Sequence, residues 1–112
     1  MSYRSVFRDS LFEGQTVVVT GGGSGIGRCT AAELARLGAH VVLVGRKEAK
    51  LDRVQGELRE DGFESSAYVC DIRDEEAVRA TVRAIVAERG RIHALVNNAG
   101  IRVEGPAWAE DP

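Results

Sequence analysis

The segment TGGGSGIGR, from Thr20 to Arg28, holds the residues best suited to bind a ligand, and five of its nine residues are glycine. It follows the apolar run TVVVT and precedes a stretch with helical spacing, so the glycines fall where a strand would give way to a helix. The first amides of a helix have no partner within it and point outward at the positive end of the helix dipole. Glycines before such an end let the backbone approach a phosphate closely, because no Cβ atom intervenes. The segment therefore predicts a phosphate site.

Each glycine of this segment has an expected role. Gly21 would make the turn, Gly25 would allow the close approach to the phosphate, and Gly27 would allow the helix to pack tightly on the strand. The spacing Gly-x3-Gly-x-Gly differs from the general dinucleotide pattern G-x-G-x-x-G. No lysine follows the last glycine, which excludes a P-loop. The alternative is a flexible surface loop, but the position between a strand and a helix favours a nucleotide site.

The elements that position this segment are four short apolar runs that alternate with three helical stretches. The runs are rich in β-branched residues and nearly continuous in apolar character, which is typical of strands buried on both faces of a parallel sheet. The pattern predicts an α/β fold: a Rossmann-type parallel sheet with helices on both faces, incomplete at four strands, in the order 3-2-1-4. The predicted strands are Thr16–Thr20, His40–Gly45, Ser65–Cys70 and His93–Asn98.

The three helices are predicted from apolar positions at helical spacing and from the residues at their ends. Gly38, Gly62 and Gly90 follow them as expected left-handed C-terminal residues. Asp74 is placed to cap the third helix, and acidic residues load its first turn. The predicted buried faces comprise Ile26, Thr30, Leu34 and Leu37 in the first helix, Leu51, Val54 and Leu58 in the second, and Val78, Val82, Ile85 and Val86 in the third.

Composition excludes several classes of function. The net charge of −2 argues against a nucleic-acid partner, and the apolar runs are too short to span a membrane. The N-terminus has no secretory h-region, so we expect a cytoplasmic protein. Cys29 and Cys70 are expected to be reduced and mostly buried, and His40 and His93 lie far apart in sequence, so no metal site is predicted.

Three motifs in the right order resemble the short-chain dehydrogenase/reductase family. TGGGSGIG matches the family's cofactor fingerprint TGxxxGxG, Cys70–Asp71 matches the acidic position after the third strand, and NNAG at Asn97–Gly100 matches the motif after the fourth. The resemblance extends from about Gln15 to Gly100. It implies an oxidoreductase that binds a nicotinamide dinucleotide and interconverts an alcohol and a carbonyl, or reduces an activated double bond.

The end of the second strand, VGRK, bears on which dinucleotide is bound. An NAD enzyme usually places a carboxylate here to accept the ribose 2′-hydroxyl. Gly45 stands at that place and Arg46 and Lys47 follow, so a 2′-phosphate would meet cations rather than a like charge. By resemblance this is the NADP(H) pattern, to which the Ser24 hydroxyl would add a contact. The alternative is that Arg46 and Lys47 only begin a solvated helix.

The resemblance implies further cofactor contacts. Asp71 would accept from the adenine amino group, although it is also placed to cap the third helix. Ile72 would contact the adenine ring and Ile26 would lie near the nicotinamide. The remaining implied cofactor residues, on the adenosine side or in the same motif, are Asn98, Ala99 and Gly100, whereas Asn97 is expected to brace the sheet.

The catalytic residues of the family are absent from these 112 residues. The family uses Tyr-x-x-x-Lys with a serine, but Tyr3 and Tyr68 are followed four residues later by Phe7 and Ile72. No serine follows Ser66. We therefore predict no catalytic residue here and no turnover by the segment alone, with a substrate bound only in a full-length form.

These observations divide the chain into an N-terminal arm (1–14), the NADP-binding half of a Rossmann fold (15–100) and a loop leading to a further half (101–112). The opening sequence resembles the branch with citronellol-type dehydrogenases and peroxisomal dienoyl-CoA reductases. The family usually forms dimers or tetramers, so a homo-oligomer is one expected state. The alternatives to an enzyme half are a non-catalytic nucleotide-binding module and a truncated, inactive product.

Overall fold

Four strands alternate with three helices in the structure, a computed structural model that describes residues 10–23 and 25–98. Strands β1 and β2 have the predicted bounds. Strands β3 and β4 are shorter than predicted, although the amides of Cys70 and His93 still donate to neighbouring strands, at 2.8 Å and 2.9 Å. The elements are β1 (Thr16–Thr20), α1 (Gly25–Arg36), β2 (His40–Gly45), α2 (Glu48–Glu60), β3 (Ser65–Val69), α3 (Glu75–Arg89) and β4 (Ala94–Asn97).

The sheet has the order β3-β2-β1-β4, and every pair is parallel, which confirms the predicted topology. Strand β1 lies between β2 and β4, with Val18 opposite both Val42 and Leu95. All five residues of β1 are buried, as its continuous apolar character predicts. The strand order reverses beside β1, and the crevice at such a switch point is where open α/β sheets bind their ligands.

Helices α1 and α2 cover one face of the sheet. Leu51, Val54 and Leu58 of α2 are buried, as predicted from their spacing. They form one core with alternate residues of the central strands, because successive strand side chains point to opposite faces. The strand and α1 members of that core include Val17, Val19, Val41, Leu43, Ala31 and Ala35.

The predicted buried face of the first helical stretch is correct for Leu34, which packs against the core, and for Leu37, which is buried just after α1, but it is wrong for Ile26 and for most of the inner side of the helix. Gly27, Ala31 and Ala35 are the buried residues of this helix, whereas Ile26 is 77% exposed and Thr30 is half-buried. Small residues four apart give the helix a flat side that lies close to the sheet. The apolar pattern missed this face because it weighted side-chain size, whereas the packing depends on close approach.

The expectation that both cysteines are mostly buried holds for Cys70 and is wrong for Cys29. Both thiols are free, but Cys29 is exposed. It lies two residues after Gly27 in α1, which turns it about 200° away from the small-residue side, at 3.6 residues per turn.

Helix α3 covers the opposite face, so helices lie on both faces as predicted. Ile85 is buried against Val18, Val42 and Val44. Val82 and Val86 are each more than 40% exposed, so only part of the predicted apolar face of α3 is covered by the described residues.

A polar network at Glu88 joins α3 to the sheet. The Tyr68 hydroxyl donates to one carboxylate oxygen of Glu88, and the Ser66 hydroxyl donates to the other at 2.9 Å. Because the Ser66 proton is used in this bond, Nε2 of His40 is the donor in the 2.8 Å contact with Ser66. The two hydroxyl donors lower the pKa of Glu88, and the bond to Glu88 raises the pKa of Tyr68.

The residues at the helix ends adopt the conformations and contacts predicted from the sequence. Gly38, Gly62 and Gly90 have φ values of 96°, 89° and 84°, which confirms them as left-handed residues after the helices. The Asp74 carboxylate accepts from the Ala77 amide at 3.2 Å and caps α3, as predicted. Across residues 10–23 and 25–98, no helix is both long and apolar enough to cross a membrane.

Removing the α3 cap should measure its contribution to stability. We expect Asp74→Ala to lower the free energy of unfolding by about 1 kcal/mol, because the Ala77 amide loses its acceptor and the helix dipole loses a negative charge. Urea unfolding followed by far-ultraviolet circular dichroism checks this. Asp74→Asn is the control, since an asparagine cap should retain most of the stability; an equal loss in both variants would contradict the capping role.

Candidate functional site

An open cleft of about 770 Å³ lies where the strands end. Gly21 follows β1, Gly45 ends β2, Asp71 follows β3 and Asn98 follows β4, and all four line it. Parallel strands bring their carboxyl ends to the same edge, which is why these residues meet although they are far apart in sequence. The volume is within the range of about 300–1,000 Å³ typical of small-molecule sites.

Glycines of the TGGGSGIGR segment line the cleft between β1 and α1, at Gly21, Gly23, Gly25 and Gly27. Gly21 and Gly25 have φ values of 67° and 54°, a left-handed conformation that favours glycine, and the Gly21 amide donates to the Val44 carbonyl at 2.9 Å. A Cβ atom on Gly27 would lie 2.1 Å from the Gly21 carbonyl oxygen. The backbone of α1 therefore rests directly on the turn, which only a glycine at position 27 permits.

The N-terminus of α1 opens into this cleft. Gly25, Ile26 and Gly27 line the cleft, and the first turn of α1 contains no acidic residue. The unpaired amides and the dipole of this end favour an anion. The geometry thus fits the phosphate site predicted from the sequence.

Cations dominate the other wall of the cleft. Arg46, Lys47 and Lys50 line it, and none of the three forms an ion pair with the residues that the structure describes. A Cβ atom on Gly23 would lie 2.9 Å from Cβ of Lys50, so the start of the Lys50 side chain lies beside the glycine segment. Gly45 contributes no carboxylate at the end of β2.

Asp71 is the one carboxylate among the described lining residues, and Arg73 binds it. The Arg73 amide and Nε both donate to Oδ1 at 3.0 Å, and Nη2 donates to Oδ2 at 2.9 Å. These bonds, with a smaller contribution from the charge of Arg46, lower the pKa of Asp71 from the ordinary 3.8 to about 2. Asp71 does not cap α3, since Asp74 does so.

The β4 side of the cleft is held by Thr20 and Asn97. The Thr20 hydroxyl donates to Oδ1 of Asn97 at 2.9 Å, beside the backbone pairing of these residues. Asn97 therefore braces the sheet through its side chain as well as its backbone. The Asn98 amide donates to the Thr20 carbonyl at 3.2 Å, which places Asn98 at the edge of the cleft.

Most of the residues predicted for the site lie together in this cleft, and others join them. Ser24, Ala99 and Gly100 lie outside the described residues. Lys50 and Arg73 were missed. Lys50 lies three residues after Lys47, a spacing that places side chains on one side of a helix, and Arg73 lies two residues after Asp71, whose side chain can accept from that backbone amide. The predicted residues that line the cleft are Gly21, Gly25, Ile26, Gly27, Arg46, Lys47, Asp71, Ile72 and Asn98.

Residues 15–111 match the family model for short chain dehydrogenases. The chain belongs to the short-chain dehydrogenase/reductase family. A curated relative, gluconate 5-dehydrogenase of Gluconobacter oxydans, is 42% identical over 106 residues, which cover 95% of this chain and 40% of that protein. Family membership accounts for the glycine segment and for the position of Asp71 and Asn98 around one cleft.

Solved structures support the same fold and family. The citronellol catabolism dehydrogenase AtuB of Pseudomonas aeruginosa has a TM-score of 0.87 and 63% identity, over 96% of this chain and 44% of that one. A metagenomic short-chain oxidoreductase in complex with NADP has a TM-score of 0.80 and 40% identity, over 93% and 47%. The 63% identity to AtuB also supports the branch suggested by the opening sequence.

A third structure bears on the choice of cofactor. A xylitol dehydrogenase bound to NAD+ has a TM-score of 0.78 and 40% identity, over 82% of this chain and 35% of that one. The family thus uses nicotinamide dinucleotides, and neighbours of equal identity differ in which one they carry. The chain spans less than half the length of each of these relatives.

The contact between Gly27 and the turn can be tested by substitution. We expect Gly27→Ala to lower the free energy of unfolding by about 1–3 kcal/mol, because the new methyl group would overlap the Gly21 carbonyl. Gly56→Ala is the matched control: nothing lies within 4 Å of a Cβ at this helical position, so it should raise stability by about 0.5–1 kcal/mol. Urea unfolding measures both, and losses of similar size would contradict the packing argument.

The ion pair of Asp71 predicts a specific pH dependence. Because the pKa of Asp71 is lowered to about 2, the pair stabilises the fold fully above the ordinary value of 3.8. This contribution should be lost as the pH falls from 3.8 to about 2. Carbon-13 NMR titration of the carboxyl group should give a midpoint near the lowered value.

Substitution of the guanidinium provides the control for this titration. Arg73→Ala should return the pKa of Asp71 toward 3.8, and Arg79→Ala, which removes the Arg79–Glu75 pair on α3, should leave it unchanged. A midpoint already near 3.8 in the unaltered chain would show that the pair does not form in solution.

Proposed function

We propose that this chain forms the NADP(H)-binding half of a short-chain oxidoreductase that interconverts an alcohol and a carbonyl, or reduces an activated double bond. The observation that carries the proposal is the pairing of two features in one cleft. The glycine segment and the α1 N-terminus favour a pyrophosphate, and unpaired cations stand at the end of β2 where NAD enzymes place a carboxylate.

The charges around the cleft favour a 2′-phosphate over a free 2′-hydroxyl. Gly45 provides no carboxylate to accept from a 2′-hydroxyl, and Arg46 has no carboxylate of its own among the described residues. A guanidinium forms two parallel hydrogen bonds with a phosphate, and Lys47 and Lys50 add point charges nearby. NADPH therefore gains contacts here that NADH lacks.

The remaining contacts are assigned by position. Asp71 and Ile72 follow β3, where they would bind the adenine, and Asn98 would line the adenosine at the end of β4. Ile26, 77% exposed at the start of α1, would present its side chain to the nicotinamide. Burial of that side chain by the cofactor would explain why a large apolar group stands open to solvent. Ser24, Ala99 and Gly100 stay predictions.

The cofactor supplies hydride chemistry when it is bound, and the residues of this chain bind and orient it. Tyr68 does not serve as the proton donor, because its hydroxyl donates to Glu88 on the α3 face and the residue does not line the cleft. A substrate of the citronellol type is proposed for the whole protein on the 63% identity to AtuB. A cytoplasmic location, a homo-oligomer and the absence of turnover by the segment alone stay predictions.

A non-catalytic nucleotide-binding module is the alternative to an oxidoreductase that carries the Tyr-x-x-x-Lys motif. Such a module would bind the same dinucleotide in the same cleft but would not catalyse the oxidoreduction. The two differ in whether NADPH is oxidised when the chain acts together with an in-frame segment carrying that motif.

The role of Arg46 gives the direct test of cofactor choice. We expect Arg46→Ala to weaken NADPH binding about tenfold or more, because a charge-assisted pair to the 2′-phosphate is lost. NADH binding should change less than about threefold, since NADH has no such phosphate. Lys50→Ala should weaken NADPH by a smaller factor. Titration of the intrinsic fluorescence of each reduced cofactor measures these affinities.

Arg53→Ala is the matched control for this test. Arg53 is exposed on α2, the helix that follows Arg46, but does not line the cleft, so its loss should leave both affinities unchanged. Equal loss of NADPH and NADH binding in Arg46→Ala would refute the assignment of Arg46 to the 2′-phosphate. No change in fluorescence with NADPH at millimolar concentration would refute the proposed function.

A further inference from the structure

We propose that Arg73 is a positioning residue that holds the Asp71 carboxylate in one orientation and thereby makes the cleft selective for a purine with a 6-amino group. The inference rests on the proposed function and deepens it. It concerns which base the adenosine side accepts, whereas the tests above concern the phosphate.

The geometry leaves Asp71 one hydrogen-bonding position for a ligand. A carboxylate has about four lone-pair positions, two on each oxygen. Oδ1 accepts from both the amide and Nε of Arg73, and Oδ2 accepts from Nη2. The free position on Oδ2 is therefore the one that can accept a hydrogen bond from a ligand in the cleft.

Arg73 is the only described residue that hydrogen-bonds the Asp71 side chain. Both residues line the cleft, and the side chain of Asp71 is 38% exposed, so packing alone does not fix its rotation. Two parallel bonds from a planar guanidinium fix the plane of a carboxylate as well as its distance. The depressed pKa of Asp71 agrees with this arrangement, because hydrogen bonds from Arg73 favour the charged carboxylate.

A carboxylate held in one orientation distinguishes between bases that a freely rotating carboxylate would bind equally well. Adenine presents an amino donor at position 6 and an acceptor at N1. Hypoxanthine presents a carbonyl oxygen at position 6 and a donor at N1. A carboxylate held by Arg73 and aimed at the amino group meets a like partial charge in hypoxanthine, whereas a free carboxylate can turn to accept from N1. Loss of the Arg73 side chain should therefore reduce discrimination between the bases.

The test compares NADPH with its hypoxanthine analogue, reduced nicotinamide hypoxanthine dinucleotide phosphate, on the same 112-residue chain by fluorescence titration. We expect the unaltered chain to bind NADPH about tenfold or more tightly than the analogue, which is the range of a hydrogen bond to a charged group. Arg73→Ala should reduce that ratio to less than about threefold. Arg73→Lys, which keeps the charge without the planar fork, should also reduce it.

Two controls separate positioning from other effects. Arg79→Ala removes a comparable exposed ion pair on α3, outside the cleft, and should leave the ratio unchanged. In an Asp71→Ala background, adding Arg73→Ala should not alter the ratio further, because a residue that acts through Asp71 has no effect once Asp71 is gone. Circular dichroism of each variant confirms that the fold is kept.

The outcomes are distinct from those of the proposed function. If NADPH binds but the unaltered chain does not distinguish the analogue, or if Arg73→Ala keeps the full ratio, the inference is wrong and the proposed function stands. A further change of ratio by Arg73→Ala without Asp71 would show direct contact with the base and would also overturn it. Failure of the unaltered chain to bind NADPH would remove both.

Discussion

The contact between Gly27 and the Gly21 carbonyl is the constraint on which the site depends. A Cβ atom would lie 2.1 Å from that oxygen, so α1 reaches its position only because position 27 has no side chain. The same approach brings Ala31 and Ala35 onto the sheet and points the free amides of the helix into the crevice beside β1. Packing and ligand binding thus share one backbone contact. A larger residue at position 27 would move the helix and its dipole together.

The charge of the cleft differs from the charge of the whole chain. The sequence carries a net charge of −2, yet the described residues lining the cleft include four cations and one carboxylate. That carboxylate is bound by Arg73, so a polyanionic ligand meets little repulsion from it. A cationic recess on an acidic protein raises the local concentration of anions and speeds their association, and the effect falls with salt. The overall charge of the chain therefore does not predict the charge of this cleft.

Features of the fold that depend on pattern could be predicted from the sequence, and those that depend on close approach could not. Strands β1 and β2 follow from their apolar β-branched runs, and the left-handed Gly90 follows from its place after a helical stretch. Apolar periodicity found Leu34 and Leu37 but not the inner side of α1, because the fully buried residues of that helix are the small ones. Lys50 and Arg73 were missed because their places in the cleft depend on neighbours: α2 brings Lys50 beside Gly23, and Arg73 binds Asp71. Such pairings appear only when the backbone places both partners.

The position of β1 in the sheet governs the order in which the strands can pair. Thr20 in β1 bonds to Asn97 in β4 across 77 residues of sequence, whereas only α1 and its short loops separate β1 from β2. Closing the longer loop costs more chain entropy, and distant pairings slow folding. During synthesis β1 emerges before the other three described strands, yet one of its two edges stays unpaired until β4 has been made. A strand buried on both faces and rich in valine is prone to pair with another chain during such an interval. Strand β1, which leads into the binding site, is thus also the strand most exposed to wrong pairing with another chain during synthesis.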